Sequence, residues 1–106
     1  MNIRYYDRDS STNLELWREP DGRVFQLIAN ELSKKLKVRW IEKIEGFDQR
    51  YWDFKFKGTI LTLHLEHFMG IMIYADKSKP DIQRATEPLH VPGDYFNTWN
   101  LPEEGK

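Results

Sequence analysis

Between residues 37 and 76 apolar and polar side chains alternate in four bursts, separated by turns. In Tyr51 to Lys57 the residues Trp52, Phe54 and Phe56 alternate with Asp53, Lys55 and Lys57. Successive side chains of an extended chain point to opposite faces, so this pattern predicts a half-buried strand. In Thr59 to Glu66, Leu61, Leu63 and Leu65 take one face and Thr62, His64 and Glu66 the other. Lys37 to Glu45 alternates less cleanly. Val38, Trp40 and Ile44 fall on one side, with Arg39, Ile41 and Lys43 opposite, and Glu42 lands on the apolar side. The run Ile71-Met72-Ile73-Tyr74 is apolar on both faces, which suits a central strand. Turns are expected at 46–49, at Lys57-Gly58, where glycine accepts positive φ, and at 67–70. The region reads as a four-stranded antiparallel meander.

Upstream the period changes. Val24, Leu27, Ile28, Leu32 and Leu36 recur at helical spacing, which predicts a helix over 22–36. Asp21 is placed to cap its N-terminus, and Lys34, Lys35 and Lys37 gather where the helix dipole is negative. Residues 3–6 and 14–17 read as short extended pieces, and 7–13, DRDSSTN, as a loop. Ser78 is placed to cap a short helix that begins at Pro80 and ends at Pro88. The remainder shows no period. The expected fold is α+β, a single domain over residues 1–106. It has an antiparallel four- to five-stranded meander sheet, one principal helix on one face, and an extended C-terminal arm. The arm, residues 93–106, is free to be flexible or to dock.

Composition narrows the function more than the fold. The 106 residues include 16 basic and 17 acidic side chains, for a net charge of −1. No overall field favours nucleic acid or an anionic membrane. The chain has no cysteine, which excludes disulfides, thiolate catalysis and cysteine-held metal. The first seven residues lack an apolar core of signal-peptide length, and no run suits a membrane helix. A soluble cytoplasmic protein without membrane contact is the expectation.

The segment His64-Leu65-Glu66-His67 is the one place where metal or acid–base chemistry gathers. On a strand His64 and Glu66 share a face and His67 points away, so extended geometry splits the triplet. The order also differs from H-E-x-x-H. His64 and Glu66 are the catalytic candidates and His64 and His67 the metal candidates, all subordinate to a structural role; no cofactor is expected. The face carrying Tyr51, Lys55, Lys57, Arg39 and Lys43 offers an aromatic and basic surface for single-stranded nucleic acid, diluted by Glu42, Glu45 and Asp53. In the tail, Tyr95, Phe96 and Trp99 either pack back on the sheet or anchor a partner.

The stretch YWDFKFKGTILTLHLEHFMGIMIY, residues 51–74, resembles the strand–turn–strand core of small uncharacterised bacterial cytosolic proteins, some of which act as immunity partners of secreted toxins. The resemblance implies a binding role. The expected function is therefore a non-catalytic protein-binding module, an immunity or accessory protein, with a protein partner or a second copy. Its contact residues are Tyr95, Phe96, Trp99, Tyr51 and Lys55. A small metal-dependent or acid–base hydrolase using the His64/Glu66 region is the first alternative, and single-stranded nucleic-acid binding is the second.

Overall fold

The computed structural model describes residues 1–8, 11–75 and 86–102. Among these, six strands form one antiparallel sheet: β1 (Arg4–Arg8), β2 (Ser11–Trp17), β3 (Arg39–Glu45), β4 (Gln49–Phe56), β5 (Thr59–Glu66) and β6 (Gly70–Ala75). Their order across the sheet is β1-β2-β6-β5-β4-β3. Helix α1 (Gly22–Lys35) joins β2 to β3, and helix α2 (Thr86–Thr98) follows β6 in the chain.

Alternation decides which face is dry. Cross-strand pairing sets Trp52 beside Leu63 and Leu63 beside Ile73, and then Ile73 beside Leu14; the next row holds Phe54, Leu61 and Ala75. These residues form one core with Phe25, Ile28 and Leu32 of α1 and with Leu89 and Phe96 of α2. The α1 stripe is the helical period read from the sequence. Asp21 caps it, its Oδ1 accepting from Arg23 N and Val24 N, and Lys34 and Lys35 occupy the last turn. The Lys57-Gly58 turn carries positive φ at both residues, the geometry that a two-residue hairpin needs to match strand twist.

The meander over β3 to β6 is as expected, and the sheet has two strands more. Residues 7–13, expected as a loop, contribute to both arms of a β1–β2 hairpin that adds to the β6 edge. On β2, Leu14 and Leu16 enter the core, and the alternating Asn13 and Glu15 are buried too, Glu15 with its charge met by Arg4 and Arg18. On β3, a bulge between Trp40 and Glu42 resolves the imperfect alternation. Beyond it Lys43 pairs with Trp52 and lies over that ring at 4.2 Å, while Glu42 and Ile44 move to the other face, beside Asp53 and Tyr51.

The expected extended arm is a helix. Residues 86–98 coil through Pro88 and Pro92, and Phe96 is wholly buried. Gly93 permits the approach, since a Cβ there would overlap the Tyr5 hydroxyl. That hydroxyl donates to the Leu89 carbonyl at 3.4 Å, and burial, with Asp94 nearby, pushes the Tyr5 phenol up. At the far end the α-amino group of Met1 donates to the Phe96 carbonyl at 3.0 Å and the Trp99 carbonyl at 2.5 Å, placing a cation at the negative end of the helix dipole. Tyr95 donates to Glu31 and ties α2 to α1. Of the short helix expected from Pro80 to Pro88, residues 80–85 lie outside the described residues, and its expected end is overturned: the chain is helical from Thr86 through Pro88 to Thr98. Glu103 and Glu104 of the tail also lie outside the described residues.

Two outcomes follow. The hydrogen bond to Glu31, with desolvation and the carboxylate charge, pushes the Tyr95 phenol up to about 12 from its ordinary 10. Folding therefore holds that proton more tightly than the unfolded chain does. The contribution is full below about pH 10 and is lost as pH rises toward about 12. Urea denaturation across that window is expected to show a stability loss that Tyr95→Phe flattens. Gly70 has φ +90°, and a Cβ there would overlap the Trp17 carbonyl oxygen and lie 2.6 Å from the Arg18 carbonyl carbon. Gly70→Ala is expected to cost about 2–4 kcal/mol by the same measurement.

Candidate interaction surface

The face away from the core cluster carries His64, Glu66, Tyr51 and Lys55 of the sequence-derived candidates. His64 pairs with Tyr51 on β4 and Met72 on β6. It is buried rather than solvent-facing: the Tyr51 ring stacks on it at 4.1 Å and the Tyr74 hydroxyl meets its Nδ1 at 3.0 Å. Nearby, Thr62 donates to Asp53 at 2.7 Å, and Tyr51 donates to Gln49. Glu66 ends β5, whereas His67 sits exposed in the following turn with its ring edge against Phe68. The two histidines are thus separated by strand geometry. Among the described residues no three of His, Asp and Glu gather closely enough to hold a metal ion. Lys55 is exposed beside Arg39, one row from the Tyr51 cluster.

The tail aromatics separate by burial. Phe96 belongs to the core and is corrected from accessible anchor to packing residue. Tyr95 is engaged by Glu31, and Trp99 is half-buried against Phe96, ring centroids 5.5 Å apart.

Large apolar side chains left in solvent lie elsewhere: Ile41 and Ile44 on the edge strand β3 are about half exposed, and two phenylalanines are far more so. Phe47 is 102% exposed and Phe68 is 87% exposed. Each sits in a hairpin turn, 46–48 between β3 and β4 and 67–69 between β5 and β6. Antiparallel order puts both turns at the same end of the sheet, where β2 also ends. Two strand spacings separate the turn centres, about 10 Å. The turns are closed from within, by Gly46 N to the Gln49 carbonyl at 2.7 Å and Met69 N to the Glu66 carbonyl at 3.3 Å. Among the described residues nothing covers the ring at either tip. Sequence reading treated both segments as turn punctuation. The available signal was a phenylalanine at the tip of each turn, in Gly46-Phe47-Asp48 and His67-Phe68-Met69.

Two clefts flank these rings. One, of about 360 Å³, is lined by Arg4, Glu15, Arg18, Phe68 and Met69. There Glu15, nearly buried, accepts from Arg4 at 2.8 Å and Arg18 at 3.1 Å, so two guanidinium groups share one carboxylate. The other, of about 280 Å³, has Phe47, Glu45, Asp48 and His67 around Arg50, whose guanidinium lies over the Phe25 ring at 5.5 Å. Among the described residues no ion pair engages Glu45 or Asp48. Among the described residues this end thus combines exposed apolar area with charges of both signs.

No helix among the described residues is long and apolar enough to cross a membrane. Residues 1–87 match the family model described as Protein of unknown function (DUF3630), and the chain belongs to that family. No curated protein and no solved structure matches it.

Because Phe47 and Phe68 touch little of their own chain, Phe47→Ser and Phe68→Ser are each expected to change folding stability by less than about 0.5 kcal/mol in urea denaturation.

Proposed function

We propose that this DUF3630 member is a non-catalytic protein-binding module whose contact surface is the end of the sheet bearing Phe47 and Phe68. The observation that carries the reading is their exposure. Two phenylalanines on adjacent, internally closed turns give up apolar burial that folding could have claimed, roughly 1.5–3 kcal/mol for each side chain. A partner that covers them recovers that energy, and large aromatics at the centre of a patch are the usual anchors of an interface. The charged clefts on either side supply orientation. An immunity or accessory role is one form such recognition takes. Of the sequence-derived set only Tyr51 lies toward this end, and it already stacks on His64; Lys55 lies far along β4, beside the Lys57 turn, and is not part of the contact.

The test is site-specific photo-crosslinking in extract of the source cells. A benzophenone amino acid at position 47 or 68 is expected to give a protein adduct that the same group at Lys57, at the opposite end of the sheet, does not give. Identical adduct patterns at all three positions, or none, would dispose of the reading.

A further inference from the structure

The sheet end is polar in the electrostatic sense, and its order is self-complementary. On the β1–β2 side, Arg4 and Arg18 share Glu15 and leave one surplus positive charge beside Phe68. On the β3–β4 side, Glu45 and Asp48 outnumber Arg50 and leave one surplus negative charge beside Phe47. The positive cleft opens on the face that carries Glu15 and the negative cleft on the helix face with Arg50 and Leu65, so the charges stand at diagonally opposite margins of the end, with Phe68 and Phe47 in the turns between. A two-fold axis across that end, perpendicular to the line from Arg18 to Asp48, brings each positive cleft onto the partner's negative one.

We infer that the occupant of this surface is a second copy of the chain, held end to end by the two phenylalanines of each copy and by reciprocal contacts of Arg18 with Asp48. The inference rests on the reading of this end as the contact surface and names its partner. An isologous contact requires that one patch carry both halves of every interaction, and this patch does. A basic or acidic foreign surface would match only one of the two clefts.

Size sets the strength. Each buried phenylalanine contributes on the order of 200 Å², so four give roughly 800 Å² before the charged rim is added. That falls short of the roughly 1,000 Å² a specific interface clears, so the charged margins have to supply the rest and the dimer is a weak, reversible one. The edge strand β3 is a poorer route to pairing. Its bulge and its Glu42, Lys43 and Glu45 side chains are the features that block strand addition.

Sedimentation velocity of the full chain from about 1 to 500 μM reads the equilibrium directly. The native chain is expected to dimerise. Asp48→Lys and Arg18→Glu are each expected to weaken association about tenfold or more, by setting like charges opposite one another twice. Mixed in equal amounts, the two variants restore opposite charges at both contacts, and the heterodimer is expected to form at near-native concentration. Arg18→Glu places a carboxylate beside Glu15. If circular dichroism shows that variant unfolded, Phe47→Ser and Asp48→Lys carry the test, and both must lower association tenfold. A native chain that stays monomeric throughout overturns the inference, as does association indifferent to Asp48→Lys or a mixture no better than its components. A monomeric native chain that still crosslinks a different protein through positions 47 and 68 removes self-pairing and leaves the contact surface standing.

Discussion

Period-two burial on one face of the sheet is the constraint from which the remaining features follow. Leu61, Leu63 and Leu65 must all face the same way, and so must Trp52 with Phe54 and Ile71 with Ile73. A slip of one residue in any pairing would exchange leucines for Thr62, His64 and Glu66 against the helices. Register is therefore set by the hydrophobic effect acting along three central strands at once. The bulge in β3 shows the same pressure at the sheet edge. Without it Glu42 would continue on the Trp40 face; with it the carboxylate turns away, and Lys43 covers Trp52 with its charge over the ring. One extra residue costs a ladder contact and saves the burial of an acid.

How much of this can be read from the residues alone depends on whether the pattern is local. Helix α1 and strands β4 and β5 were legible because their periodicity, their cap and their turn lie within a dozen residues. Of β1 and β2 the pieces at 3–6 and 14–17 were legible as extended, but their continuation through 7–13 was not, since the polar residues there pair with one another, as Asp7 does with Thr12. Helix α2 is the clearest case of tertiary override. Pro88, Pro92 and Gly93 argue against a helix, and an interior proline costs about 3 kcal/mol. Yet Leu89 and Phe96 are seven residues apart, two turns of one face, and both are fully buried. Gly93 lies between them on the side that meets Tyr5. The spacing was present in the sequence; its weight against the breakers depended on a sheet face with room for it.

The site divides along the same line. That His64 and His67 would be parted by strand geometry followed from alternation, and β5 ends at Glu66 with His67 in the turn. That His64 is buried did not follow, because its cover comes from Tyr51 and Tyr74 on flanking strands. The aromatics of the tail drew attention because they lacked a period, whereas Phe47 and Phe68 drew none because turns are expected to be irregular. Exposure is a property of the assembled sheet: it depends on which turns share an end and on what else reaches them.

The distribution of charge separates folding from recognition in this molecule. Charges near the core are engaged locally: Lys43 over Trp52, Arg50 over Phe25 and Asp21 on the α1 backbone. Glu15 is nearly buried and takes both Arg4 and Arg18, more cation than one carboxylate needs. A fold requiring only stability would have met that acid with one arginine, since a solvent-exposed second contact adds at most about 1 kcal/mol. The surplus guanidinium stands at the rim of the cleft that Phe68 walls, and the unengaged Glu45 and Asp48 stand at the rim of the cleft beside Phe47. Apolar anchors at the centre with opposite charges at the two margins suit a surface that has to be covered in one orientation. The packing of the core accounts for none of those three features, and the proposed contact at the sheet end would account for them together.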